Sequence, residues 1–193
     1  MEPGPNLGKP RRLPSAGATG KTSPMAAPQP RPEMLSLELP DEAATARLAQ
    51  SLAARARKGD AIALFGELGS GKTAFARAFV NALPAPNGTA PATSEEVPSP
   101  TFTLLQSYQR APAPVWHFDL YRLTRPDQVY ELGFEEALGE GIVLIEWPER
   151  LGPLLPAERL ELHFDFAERN AGRRVTVIGT GGWVRRLRDL EGP

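Results

Sequence analysis

Ala61-Ile-Ala-Leu-Phe65 runs directly into Gly66-Glu67-Leu68-Gly69-Ser70-Gly71-Lys72-Thr73. The first segment is a short, continuous apolar run, as expected of a strand buried on both faces in a parallel sheet. The second matches G-x-x-x-x-G-K-[ST] at every fixed position. Gly66, Gly69 and Gly71 permit backbone conformations and close approaches that a Cβ blocks. The N–H groups of such a loop turn inward as an anion cradle. A helix beginning near Lys72 adds the positive end of its dipole. Lys72 brings a full charge to β- and γ-phosphates, and the Thr73 hydroxyl is a candidate Mg²⁺ ligand. The pattern alone is common; a buried strand before it and a helix after it are the context that gives it meaning. The expected ligands are ATP and Mg²⁺, with hydrolysis as the expected reaction.

Outward from this core, Leu35-Ser-Leu-Glu-Leu39 alternates as a strand. Asp41 is placed to cap a helix over Glu42 to Lys58, which Gly59 stops. A second helix runs from Lys72 to Leu83, ended by Pro84. Residues 84–98 form a polar loop rich in Pro and Thr. Strands are expected at Phe102–Tyr108, Val115–Leu120 and Ile142–Glu146, with helix over Pro126–Leu138 broken near Gly133. Leu160–Phe166 and Arg174–Ile178 alternate on either side of a turn at Glu168–Gly172, which reads as a hairpin. A short helix at Trp183–Leu190 closes the chain. The expected fold is α/β, a P-loop NTPase-like three-layer sandwich with a mixed sheet and a C-terminal β-hairpin.

Residues 1–33 have a different character. They hold eight of the 21 prolines and almost no large apolar residues, too little to offset the entropy of ordering. The expected organisation is a disordered Pro-rich tail at 1–33 and one domain at 34–193, with Met25 and Met34 as alternative starts that an intact mass distinguishes. The tail takes five of the 22 basic and two of the 23 acidic residues. The remainder, 17 basic against 21 acidic, carries −4. That argues against a broad electrostatic grip on nucleic acid or an anionic membrane. The absence of cysteine rules out thiolate chemistry, and two histidines are too few for a histidine-rich metal site. No run approaches the roughly 18 apolar residues of a spanning helix. The N-terminus lacks an apolar h-region, so it does not read as a secretory signal. A soluble, cytoplasmic protein is expected.

A phosphate loop needs a carboxylate opposite it, at the carboxyl edge of the sheet. Two expected strands end in an acid, Trp116-His-Phe-Asp119 and Val143-Leu-Ile-Glu146. Glu146 follows the more uniformly apolar run and is taken as the Mg²⁺-side acid. Asp119 then orients or deprotonates water. The sequence leaves these roles interchangeable. Ser99-Pro-Thr101-Phe-Thr103 either carries a γ-phosphate-sensing threonine or only stiffens the start of a strand. His117, with no nucleophile paired to it, reads as a packed or hydrogen-bonded structural residue, and His163 as structural or exposed. Trp147 either lines the nucleotide site or caps the sheet.

These segments together, Gly66–Thr73, Ser99-Pro-Thr-Phe-Thr103, His117-Phe-Asp-Leu-Tyr-Arg-Leu123, Glu131-Leu-Gly-Phe-Glu135 and Ile145-Glu-Trp-Pro-Glu149, resemble the TsaE family. Its members are P-loop ATPases of bacterial tRNA threonylcarbamoyladenosine biosynthesis. The resemblance runs in order from about Met34 to the C-terminal hairpin. It implies an ATPase weak alone that works with the TsaB and TsaD subunits. TsaD is the transferase acting on adenosine 37, and ATP hydrolysis supports its turnover without transferring the threonylcarbamoyl group. The resemblance also implies Mg²⁺ bound by Thr73 and Glu146, Asp119 as an essential residue and proposed base, and Thr101 in a switch. Residues before the first helix and in the terminal hairpin lie near the nucleotide in the family, with Glu42 and Arg173 the nearest counterparts here. The tail and the long 84–98 loop depart from the pattern. With the body at −4, tRNA contact is expected only indirectly, through the partners.

Two other classes share the loop. A small-molecule or nucleotide kinase needs an acceptor pocket and usually an arginine-rich lid, and no lid-like segment is seen. A non-catalytic nucleotide-dependent binding switch would keep Lys72 and Thr73 without competent acids, whereas both acids are present. A GTPase is disfavoured because no N-K-x-D occurs.

Overall fold

A strand whose two faces must both be covered sits in the middle of a layered structure, and β2 (Ala61–Phe65) does so here. The computed structural model describes residues 32–89, 96–167, 172–188 and 190. Its seven-stranded sheet has the order β1-β7-β6-β2-β5-β4-β3. The strands are β1 Glu33–Leu39, β3 Leu105–Tyr108, β4 Val115–Asp119, β5 Ile142–Glu146, β6 Leu160–Phe166 and β7 Arg173–Gly179. The four central strands, β6, β2, β5 and β4, run parallel. β3, β7 and β1 each pair antiparallel with their neighbours. The sheet is therefore mixed and α/β, as expected.

Helices α1 (Glu42–Ala53) and α2 (Lys72–Ala82) cover one face with α4 (Trp183–Leu187). The other face takes α3 (Phe134–Glu140) and two 3₁₀ segments, Pro126–Leu132 and Pro148–Leu154. β5 is buried at every position. Ile142 and Leu144 join the α1–α2 core, and Val143 and Ile145 the opposite one. The same alternation turns Glu146 toward α2.

Asp41 caps α1 as expected, its Oδ1 accepting from Ala44 N at 2.7 Å. α1 stops at Ala53, short of Lys58: Arg55 N and Ala56 N donate to Leu52 O and Ala53 O in tightened i→i+3 bonds. Arg55 also donates from Nη1 to Ser51 O at 2.7 Å. α2 has eleven residues, marginal as an isolated helix. Its buried Phe75 meets Phe79 (6.0 Å between centroids) and Phe164 of β6 (5.8 Å). Each buried phenylalanine contributes about 1.5–3 kcal/mol, so packing holds the helix whose first residues are Lys72 and Thr73. A bidentate ion pair from Arg186 to Asp60, at 2.6 and 2.7 Å, ties α4 to the turn before β2.

β3 begins at Leu105, three residues later than expected, because 101–103 form a turn. α4 ends at Leu187 rather than Leu190. The 3₁₀ segment at 148–154 has no counterpart in the sequence reading. Glu33 opens β1, one residue ahead of the expected domain start. Residues 1–31 of the tail expected at 1–33, residues 90–95 of the polar loop and 168–171 of the hairpin turn lie outside the described residues. Among the described residues no helix is long and apolar enough to cross a membrane.

Candidate functional site

The parallel register sets Asp119 beside Glu146 at the carboxyl ends of β4 and β5. The loop between β2 and α2 faces them. Gly66 has φ +135°, and a Cβ there would lie 2.5 Å from Phe164 O, so only glycine fits. Gly71, φ +114°, turns the chain into α2. Two cavities flank the loop. One, of about 340 Å³, is lined by Lys72, Thr73, Thr101, Asp119, Glu146 and Trp147 among others. The second, about 350 Å³, lies on the loop's other side against Glu42 and Arg173. The structure thus gathers the sequence-predicted residues around one loop, the acids on one side and Glu42 and Arg173 on the other. Leu68 stands on the rim of the first cavity, largely exposed.

Lys72 is 4% exposed. Its Nζ donates to Gly66 O (2.6 Å) and Glu67 O (2.8 Å) and lies 3.9 Å from the centre of the Trp147 ring. Burial pushes the Lys72 ammonium below the ordinary lysine value, while Glu146, Glu149 and Asp119 pull it back up. An ammonium held in this way gains from any anion that enters the cradle. Trp147 has a left-handed backbone, φ +58°, which is uncommon for a bulky residue and costs free energy. That conformation lays its ring against Lys72 and against Tyr121 (4.9 Å). Trp147 therefore lines this cavity rather than only capping the sheet.

Thr73 Oγ1 donates to Glu146 Oε2 at 2.9 Å. A hydroxyl and a carboxylate meeting across the cleft are hard oxygen donors of the kind Mg²⁺ takes together with phosphate oxygens. Among the described residues no group of three or more His, Cys, Asp or Glu gathers to hold a metal alone. Asp119 is engaged differently. Its Oδ2 accepts from Thr101 Oγ1 at 2.7 Å and Ser99 Oγ at 3.4 Å, and its Oδ1 accepts from Tyr121 N at 3.1 Å. The loop hydroxyls therefore belong to Asp119, and Thr101 does more than stiffen a strand. Leu104, φ +63°, closes that turn, donating to Pro100 O and accepting from Asp119 N.

Arg173 reaches from the C-terminal hairpin to Ser70 O (3.2 Å) and Gly69 O (3.1 Å), its guanidinium over Phe166. It supports the loop directly. Glu42 is exposed at the start of α1. His117 is fully buried and bonded to Glu146, as a hydrogen-bonded structural residue should be. His163, also structural, stacks on Phe65 and pairs with Glu161. Sequence reasoning missed Ser99 and Tyr121 as partners of Asp119. Tyr121 lies two residues beyond Asp119 and Ser99 twenty before it; their places within the quoted motifs were the available signal.

Residues 39–175 match the family model described as "Threonylcarbamoyl adenosine biosynthesis protein TsaE". The tRNA threonylcarbamoyladenosine biosynthesis protein TsaE of Rickettsia felis is 39% identical over 154 residues, 80% of this chain and 85% of that protein. Its namesake from Bacillus subtilis is 36% identical over 119 residues, 61% of this chain and 69% of that one. The crystal structure of Bacillus subtilis YdiB superposes with a TM-score of 0.63 at 27% identity, covering 81% of this chain and 93% of that one. A family match across most of the ordered sheet, with relatives spanned over most of their own length, makes this chain a member of the TsaE family.

Proposed function

We propose that the protein binds ATP with Mg²⁺ in this cleft and hydrolyses it, supporting tRNA N6-threonylcarbamoyladenosine formation at position 37 with TsaB and TsaD subunits. The observation that carries the reading is the convergence of Lys72, Thr73, Asp119 and Glu146 on one cavity beside a glycine-rich loop. Lys72 and the loop N–H groups hold the phosphates. Thr73 and Glu146 would hold Mg²⁺, which when bound neutralises charge on the β- and γ-phosphates. Asp119, fixed through Oδ1 and Oδ2, orients the attacking water and takes its proton. Thr101 and Ser99 couple Asp119 to the switch turn, so movement of that turn alters the base. Glu42 and Arg173 flank the nucleoside side of the loop. A body charge of −4 favours tRNA contact through the partners rather than directly, and the proposed place of action is the cytoplasm.

The test follows the fate of the γ-phosphate. ATP labelled at that position is incubated with the protein, Mg²⁺, and a panel of nucleosides and small metabolites. The label is expected in inorganic phosphate. Label in a phosphorylated acceptor would replace this reading with a kinase, and label remaining in ATP even with TsaB and TsaD added would leave a binding switch.

A further inference from the structure

His117 is a buried titratable side chain to which this chemistry gives no task. It lies on β4 two residues before Asp119, with no exposed surface. Register brings it beside Leu144 of β5, on the face from which Glu146 projects. Its Nε2 is 2.9 Å from Glu146 Oε1. A carboxylate oxygen only accepts, so Nε2 carries the proton. The other ring nitrogen, Nδ1, is buried without a hydrogen-bond partner.

Packing alone does not account for this choice. A phenylalanine or leucine fills such a position without leaving a buried polar atom unpaired, which is unfavourable. What the imidazole adds is one directed bond. Glu146 is 2% exposed, and its two oxygens are divided between two partners from different elements. Oε1 accepts from His117, and Oε2 accepts from Thr73. With Oε1 tethered, the carboxylate cannot turn, and Oε2 stays aimed at the Thr73 hydroxyl.

We propose that His117 is a positioning residue for Mg²⁺ binding: its Nε2–H holds Glu146 so that Oε2 and Thr73 Oγ1 together face the metal position. Such outer-shell partners commonly set metal affinity by about ten- to a hundredfold. The inference rests on the Mg²⁺-nucleotide reading above. It concerns only the aim of Glu146, so nucleotide binding without metal is unaffected.

The experiment measures ADP affinity of the full chain by calorimetry, with Mg²⁺ and with EDTA, for wild type, His117→Gln and His117→Asn. Glutamine places an amide N–H near the Nε2 position, whereas asparagine is too short to reach Glu146. Wild type is expected to bind ADP more tightly with Mg²⁺. His117→Asn is expected to lose about tenfold of that gain with its EDTA affinity unchanged, and His117→Gln to recover most of it. An asparagine variant with the full Mg²⁺ gain overturns the proposal. Wild type that binds ADP without any Mg²⁺ effect overturns the metal reading and the proposal together. A second readout needs no variant. With only two histidines in the chain, ¹⁵N spectra of the imidazoles resolve His117 from His163. The Nε2–H tautomer is expected, its resonance shifting with ADP·Mg²⁺ but little with ADP in EDTA. An Nδ1–H tautomer, or no response to Mg²⁺, contradicts the proposal.

Discussion

Asp119→Asn is expected to slow ATP hydrolysis about a hundredfold or more while nucleotide affinity changes by less than about threefold. Asparagine has the shape of aspartate, and the site is 3% exposed, so a smaller or larger residue would perturb the packing first. The local bonds survive the exchange. Tyr121 N donates to Oδ1, which keeps the amide oxygen on that side and turns the NH₂ toward Thr101. The Thr101 hydroxyl, also 2.7 Å from Ser99 Oγ, reverses its direction and accepts. What vanishes is a basic oxygen able to take a proton from water. Phosphate release alongside ADP calorimetry checks this. Unchanged hydrolysis would make Asp119 a tether for the switch turn and move the base elsewhere.

Lys72→Ala is expected to weaken ATP binding by roughly a hundredfold, the scale of one hydrogen-bonded charge contact at about 3 kcal/mol, and to remove measurable hydrolysis. Its effect on folding should be small. The variant loses the bonds to Gly66 O and Glu67 O and the contact with Trp147. It also loses the cost of burying an ammonium, the cause that lowers the lysine's proton affinity. These changes oppose each other, so a thermal melt within a few degrees of wild type is expected, beside a large loss in ATP calorimetry. Tight ATP binding by the variant would mean that the loop backbone alone sets affinity.

The parts of the site legible in the sequence are those whose chemistry is local. Gly66 is required by a backbone approach to Phe164, and a pattern of glycines followed by Lys72 and Thr73 records that requirement. Glu146 and Asp119 were found because an uninterrupted or alternating apolar run that ends in an acid places it at the sheet's carboxyl edge. Their side-by-side register follows from β4 and β5 being parallel neighbours. Contacts that cross the chain left no such trace. The bond between His117 and Glu146 spans 29 residues, and the histidine's neighbours gave it only a packed, structural character. Trp147 meets Lys72 because its backbone is left-handed, a conformation that residue type argues against. β3 starts late because Asp119 and Pro100 hold the preceding residues in a turn, where β-branched and aromatic composition predicts strand. α1 ends early because Arg55 and the tightened turn close it before Gly59 is reached.

The proposed role of this cleft is to hydrolyse ATP in the service of a partner complex. Phosphate release from ATP with Mg²⁺ tests it most directly, measured for the protein alone and with the TsaB–TsaD pair. Slow release alone and clear stimulation by the pair is the predicted result. Phosphate release at the level of a protein-free blank, with and without the pair, would contradict it.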